Sequence, residues 1–408
     1  MQNVEAAGLG IGDDHPPRIM GVLNVSEESP YDPSVFSDPG DAAEYVEREL
    51  IDEGADIVDI GLESANKRLD VLSAEEELDR LDTAIETIES VSGEVVFSIE
   101  TRYSEVADEA LSRGFDMVND ICGFADPAMP EVCKAHDAAV VKMASPPDLE
   151  RPGAVESVDW AEQRHGKSEI SRPSGDGVSR DSADWERSAT YVDEIYEALS
   201  MNGFTDKTIL DPAFGGWSEE KTLADDRETL HRLREFRAYG QPLLVSINRK
   251  NFLKDIAGRS TEEALPVSLA ATAMAVERGA HVLRTHDVKE TRDAALIGRE
   301  FARERLHDPA VEELDVTTRT EAARHLVAVD SGPALADAGV TRWFRLSHIA
   351  DSEPLAGAVA DADGVFLAGA DPVILFGTQA GFESLNHAVP DASSRLSAIT
   401  SKILYDFK

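Results

Sequence analysis

Basic residues are scarce in this chain. Lys and Arg total 39 against 79 Asp and Glu over 408 residues, a formal net charge of -40. A surface this negative repels phosphate backbones, so nucleic acid is not an expected partner. The acid is spread along the chain rather than gathered in a tail. That distribution suits a surface solvated in brine, where salt screens self-repulsion. The expectation is a cytoplasmic protein of an extreme halophile. Cysteine is almost absent, and Cys122 and Cys133 supply neither a disulfide framework nor a zinc-ligand spacing. No apolar run approaches the ~18–20 residues of a membrane span. The opening MQNVEAAGLGIGDDHPPRIM lacks the apolar core of a signal peptide, so no membrane partner is expected. No G-x-G-x-x-G follows the first strand-like run, which argues against a dinucleotide-binding fold.

Against these absences stands a repeated pattern. Eight short β-branched runs each end in polar or glycine residues, with helix-patterned sequence between them. They are RIMGVLNV (18–25), IVDIGL (57–62), VVFSIET (95–101), MVNDI (117–121), AVVKMA (139–144), TILDPA (208–213), PLLVSI (242–247) and VLRTHD (282–287). Strand–helix alternation builds βαβ units and a parallel sheet. Eight such units between residues 18 and 305 predict a closed (β/α)8 TIM barrel. An N-terminal extension (1–17) precedes it. The stretch 146–189, rich in Asp, Glu, Ser, Gly and Pro, reads as a long solvated loop inserted after the fifth strand. Residues 306–408 read as a small α/β domain, with strands expected at 326–329, 343–346, 364–368 and 373–376.

In a barrel of this kind the site lies at the C-terminal ends of the strands. In chain order those ends carry Asn24; Glu63 and Ser64; Glu100 and Thr101; Asn119 and Asp120; Lys142; and Asp211. The seventh adds Asn248, Arg249 and Lys250, and the eighth Arg284, His286 and Asp287. Carboxylates and amides among apolar strands suit the edge of a heterocycle with N–H donors and ring-nitrogen acceptors. Arg284 and His286 stand two positions apart, on one strand face. With Asn24 on the adjoining first strand they would form a pocket for a phosphate or diphosphate.

The runs IMGVLNV, GADIVDIGLES, VNDICG, ILDPAFGGWSEEKT, PLLVSINRKNFL and SLAATAMAVERGAHVLRTHDVKETRDA follow one another in that order. Together they resemble the dihydropteroate synthases of folate biosynthesis, over residues 18–305. The Arg-Lys pair with a following Phe, and the Arg-x-His-Asp-Val motif, are the specific signals. The resemblance implies a transferase. The amine of 4-aminobenzoate displaces diphosphate from 6-hydroxymethyl-7,8-dihydropterin diphosphate, giving 7,8-dihydropteroate. It implies catalytic roles for Asp211, Lys250 and Arg284, and pterin contacts from Glu100, Asn119, Asp211 and Lys250. Asn24, Arg284 and His286 would hold the diphosphate, and Ser64 and Asn251 the arylamine. Mg²⁺ is the implied cofactor, held by substrate oxygens and Asn24, and a homodimer is the implied assembly.

The chain departs from the family in two loops. The usual N-V-T-P-D-S-F-S-D is here Asn24-Val25-Ser26-Glu27-Glu28-Ser29-Pro30, with extra residues before Phe36-Ser37-Asp38. The usual S-T-R-P-G is Ser64-Ala65-Asn66-Lys67-Arg68-Leu69. The family's third-strand Asp is Glu100, and its Ser after Arg-Lys is Asn251. The pterin side is kept and the arylamine side rewritten, so the amine is 4-aminobenzoate or a related compound. Two other readings share the barrel: a non-catalytic pterin-binding protein, and a pterin-dependent methyltransferase. The methyltransferase has no diphosphate to hold and no use for Arg284 beside His286.

Overall fold

The computed structural model describes residues 3–26, 32–63, 71–145, 191–215, 221–302, 307–308, 311–314, 316–331, 342–347, 352–370, 372–389 and 394–405. These fall into two compact units that part after Ala302. The first opens with a hairpin, β1 (Val4–Ala6) and β2 (Leu9–Ile11), turned through Ala7 and Gly8 at positive φ. Eight parallel strands follow: β3 (Arg18–Asn24), β4 (Ile57–Gly61), β5 (Val96–Thr101), β6 (Met117–Asp120), β7 (Ala139–Met143), β8 (Thr208–Asp211), β9 (Leu244–Val245) and β10 (Val282–Thr285). Their order is β8-β7-β6-β5-β4-β3-β10-β9, and a parallel bridge between Leu210 and Leu243 joins the two ends. That closes the barrel.

The strands are buried on both faces, which explains their continuous β-branched runs. One set of side chains, among them Ile19, Val58, Phe97, Val118, Val140, Leu210 and Leu283, packs outward beneath the helices. The alternate set points inward. At the N-terminal end it is apolar: Met20, Ile57, Val96, Met117, Ala139, Ile209, Leu244 and Val282 form one cluster with Val4, Ala6 and Ile11 of the hairpin. Residues 3–17 of the extension therefore belong to the barrel unit, and the hairpin seals its floor. Asp13 fixes it there, pairing with Arg237 at 2.9 Å and with His281 Nε2 at 3.0 Å. Burial works to raise the Asp13 carboxyl, but Arg237 and His281 outweigh it and hold it well below the carboxylate range.

Helix starts follow from local chemistry. Ser73 caps Ala74–Ser90 in a reciprocal box with Glu76, and Thr222 caps Leu223–His231 with Asp225. Each box satisfies amide donors that the first turn leaves open, and the acids complement the helix dipole.

The second unit carries an antiparallel sheet of β11 (His307–Asp308), β12 (Val311–Leu314), β13 (Arg342–Leu346), β14 (Val365–Ala368) and β15 (Val373–Gly377), in the order β11-β12-β13-β15-β14. Phe344, Leu346, Val373 and Leu375 face helices Ser352–Ala360, Gln379–Ala388 and Ser394–Tyr405, while Trp343, Ile374 and Phe376 face helix Arg319–Val327. Three of the four expected strands are present. The fourth, at 326–329, is wrong: Leu326 and Val327 end that last helix. Thr318 and Glu321 form a capping box at its start, so the local signal was for a helix running through the apolar run.

Candidate active site

Because strand side chains alternate, the inward row that is apolar at the floor continues to the mouth as Asp59, Ser98, Asn119, Asp211 and Arg284. Asn24, Gly61 and Glu100 lie level with Asn119, since Asn24 pairs with Gly61, Gly61 with Glu100, and Glu100 with Asn119. A polar ceiling over an apolar floor is thus written into one row.

The centre of this layer is Arg284. Its Nε donates to Asp59 Oδ2 at 2.7 Å and its Nη2 to Glu100 Oε2 at 2.7 Å. Asp59 is fully buried. It also accepts from Ser98 Oγ at 2.6 Å and from Asn119 Nδ2 at 2.9 Å. Asn119 lies 3.5 Å from Glu100 Oε2. Burial opposes the charge on Arg284, but Glu100 and Asp59 more than offset it and raise its pKa. Burial pushes the Glu100 carboxyl up, against the pull of Arg284, and Asp59 and Glu63 add to the rise. Gly61 makes this meeting possible. A Cβ there would lie 2.9 Å from Asn24 Oδ1 and 3.8 Å from Glu100 Oε1.

Asp211 and Lys250 complete the cluster. Asp211 Oδ1 accepts from the Ala213 amide at 2.7 Å. Burial raises its pKa, opposed by that bond and by Lys250 and Arg284. Lys250 is depressed by burial and then by Arg284, with Asp211 opposing. Its ammonium crosses Gly215, held at φ +101, where a Cβ would meet Nζ at 3.1 Å. Donor and acceptor charges thus face one another across a part-buried mouth, and each shifts the others' ionisation.

Glu100, Asn119, Asp211, Lys250 and Arg284 are therefore brought together, with Asn24 at their edge. His286 stands just beyond β10, its amide donating to Asn248 Oδ1 at 3.3 Å. Burial and the neighbouring Arg284 lower its pKa to about 3, so its ring is neutral. Asn251 is exposed at the first turn of the helix Asn251–Ala257 and is not part of the cluster. Ser64 and the stretch 146–189 lie outside the described residues.

Several strand-end residues do other work. Lys142 is not on the rim. It shares the outward parity of Asp120, with which it pairs in register, and is fully buried beneath helix Tyr191–Ser200. Its ammonium caps that helix end by donating to the carbonyls of Leu199 at 3.0 Å, Gly203 at 2.8 Å and Met201. Asp120 accepts from the amides of Cys122 and Phe124, and Thr101 Oγ1 donates to Glu77 at 2.6 Å. Arg249 is a clamp, held at 2.8 Å by both oxygens of Asp287.

Sequence reasoning missed Asp59, because it lies in mid-strand rather than at a strand end. The available signal was a charge inside the run IVDIG, two positions before Gly61 and so on the same face. It also missed two buried ion pairs, Arg102 with Glu63 and Lys221 with Asp226.

The family described as "Pterin binding enzyme" matches residues 20–286. A dihydropteroate synthase of Escherichia coli is 30% identical over 292 residues, covering 71% of this chain and 93% of that protein. A Haloferax volcanii protein named "Probable bifunctional folylpolyglutamate synthase/dihydropteroate synthase" is 32% identical over 289 residues, 68% of this chain. The match spans only 30% of the length of that haloarchaeal relative. Among solved structures, a Xanthomonas albilineans dihydropteroate synthase with 4-aminobenzoic acid is similar at a TM-score of 0.55 and 28% identity, covering 73% of this chain and 97% of that one. A Coxiella burnetii dihydropteroate synthase with pteroic acid gives 0.54 and 29%, covering 73% and 98%. With the barrel, the polar mouth and the matched family in agreement, this chain belongs to the pterin-binding enzyme family that includes the dihydropteroate synthases.

Proposed function

We propose that this chain is a transferase joining 6-hydroxymethyl-7,8-dihydropterin diphosphate to 4-aminobenzoate or a related arylamine, with release of diphosphate. The observation that carries the reading is the convergence of Asn119, Asp211 and Arg284, from three strands, and Lys250, from the helix start after β9, on one barrel mouth. A pterin edge offers ring N–H and amino donors beside a carbonyl and ring-nitrogen acceptors. A carboxylate and an ammonium side by side, with an amide opposite, match both kinds. Asp211 and Lys250 read the ring with Asn119. Asp211 also sits where negative charge stabilises a cation developing on the pterin methylene. Arg284, Asn24 and the neutral His286 hold the diphosphate, which keeps the leaving group oriented.

Mg²⁺ is part of this reading. Asn24 Nδ2 donates to Ser34 Oγ at 3.0 Å, which turns Oδ1 toward the space over Gly61. One amide oxygen, with phosphate oxygens and water, is a donor set that Mg²⁺ accepts. The ion would neutralise charge on the departing diphosphate. The arylamine side rests on Ser64 and Asn251, with its carboxylate near Asn251.

A cytoplasmic homodimer in a salt-rich interior completes the proposal. The net charge of -40 supports the setting. Exposed Met274, Leu296, Ile297 and Phe301, on or just after the packed helices Leu265–Glu277 and Val288–Glu300, offer an apolar face for a second copy. Titration calorimetry with the pterin diphosphate, followed by a coupled assay with 4-aminobenzoate, tests the reading. Binding with turnover is expected. Binding without turnover on any arylamine would leave a pterin-binding protein, and failure to bind would remove the reading altogether.

A further inference from the structure

We propose that Glu100 is a positioning residue that competes with the diphosphate for Arg284 and so speeds diphosphate release. The inference deepens the synthase reading and rests on its assignment of Arg284 to the diphosphate.

Arg284 lies between two carboxylates of unlike freedom. Asp59 is fully buried and holds three donors, from Ser98, Asn119 and Arg284. It is a fixed counter-ion. Glu100 has one more methylene, and 16% of its side chain remains exposed. Its Oε2 grips Arg284 Nη2 at 2.7 Å, while Oε1 borders the space over Gly61 that Asn24 Oδ1 also borders. That space is the one the reading gives to the diphosphate and its metal. Glu100 is thus the longer and less enclosed carboxylate, and it stands at the anion site.

When ionised, Asp59, Glu100 and Arg284 together carry one net negative charge. A diphosphate cannot settle on this Arg284 while the Glu100 carboxylate remains beside it, because like charges in a part-buried site repel. Asp59 is locked, so Glu100 is the group that withdraws. Once the pterin–amine bond has formed and the C–O bond to diphosphate has broken, Glu100 returns to Nη2 and displaces the product. A carboxylate one C–C bond shorter, as in the family's usual Asp, would keep the charge but draw it back from the guanidinium.

The test is binding of inorganic diphosphate, and separately of 6-hydroxymethyl-7,8-dihydropterin, to the full chain and to Glu100→Asp, Glu100→Gln and Arg284→Ala, with kcat and KM alongside. Glu100→Gln should tighten inorganic diphosphate by about tenfold or more, and Glu100→Asp by about threefold, since part-buried charge pairs contribute on this scale. In both variants kcat and the KM for the pterin diphosphate should fall together, because product leaves more slowly. Affinity for the diphosphate-free pterin should not rise, so the gain is specific to the diphosphate. Glu100→Asp binding diphosphate as the parent does would mean that charge alone acts, and would overturn the competition. Weaker diphosphate binding by Glu100→Gln, or an equal gain for the diphosphate-free pterin, would overturn the competition. Arg284→Ala should lose the diphosphate. If it does not, the assignment of Arg284 fails and this inference fails with it.

Discussion

Removing Asp59 should unmoor the mouth of the barrel. Its carboxylate has no exposed surface and takes donors from β5, β6 and β10 at 2.6, 2.9 and 2.7 Å. Asp59→Ala leaves Ser98 Oγ and Asn119 Nδ2 without that acceptor and Arg284 with Glu100 alone. Leaving a buried donor unsatisfied costs about 1–3 kcal/mol, and breaking a buried ion pair about 3–5 kcal/mol. These are one network rather than independent sites, so the terms do not simply add. We expect a loss of about 3–5 kcal/mol. Asp59→Asn is gentler. Its oxygen can keep Arg284 and Asn119 while its NH₂ donates to Ser98 Oγ, so only the charge-assisted part is lost, about 1.5–3 kcal/mol. Denaturant unfolding of the parent and both variants in molar KCl checks the order and the size. Affinity for the pterin diphosphate should fall in the same order, because Asn119 and Arg284 lose their common anchor. A loss below about 1 kcal/mol for Asp59→Ala would refute the reasoning, since the surrounding donors would then be satisfied without it.

Two further outcomes follow from the same structure. Burial pushes Glu77 up to about 7, against the bond from Thr101 and the charge of Arg102, with Glu63 and Glu100 adding to the rise. A raised carboxyl binds more protons in the folded state, so its stabilising contribution is lost as pH climbs from about 4.5 to about 7. Glu77→Gln keeps an acceptor for Thr101 and should exceed the parent by about 2–3 kcal/mol near pH 8 while matching it near pH 4; equal denaturant midpoints at both pH values would contradict this. Melting temperature should rise steeply between dilute buffer and molar KCl, with the native circular-dichroism signal lost below roughly 0.5 M salt, and an unchanged melt would remove the halophile reading.

The barrel was legible because its strands are buried on both faces. Burial on both sides demands unbroken β-branched runs, and all eight runs match β3 to β10 to within two residues at each end. The shortest strand, within 242–247, forms ladder pairs only at Leu244 and Val245. The candidate site was legible at Asn119, Asp211, Lys250 and Arg284, which share inward parity or cap a helix at the mouth. Selection by strand-end position also collected Thr101, Asp120 and Lys142. They lie one residue out of phase with the inward row and face the helices. Asp59 is the converse case, in phase but one step below the rim. Parity counted from Gly61 would have found it, and distance from the strand end could not. The hairpin at the floor carried its own signal too, apolar pairs around Ala7-Gly8, but its purpose depends on a hole that only the closed barrel creates.

The scarcity of cations gives the site its character. Of 39 Lys and Arg, several stand at the mouth with their side chains largely out of water. Arg102 reaches Glu63 at 3.1 Å and the Leu72 carbonyl at 2.7 Å, while Glu63 accepts the Leu72 amide at 3.2 Å. Residues on either side of 64–70 are thereby tied to one another. Lys221 meets Asp226 at 2.7 Å, and Asp226 accepts the Gly215 amide at 3.0 Å, which does the same on either side of 216–220. Arg249 and Asp287 join the ends of the seventh and eighth units. Ion pairs on the exposed surface of so acidic a chain contribute little and fade in brine. Pairs with side chains only 1–13% exposed are screened far less, and removing one partner would strand a buried charge. Salt can therefore set how stable the surface is without loosening the geometry of the mouth. Activity per folded molecule should then vary less with KCl than the melting temperature does, and proportional loss of both would show that the mouth is held by the same screened forces as the surface.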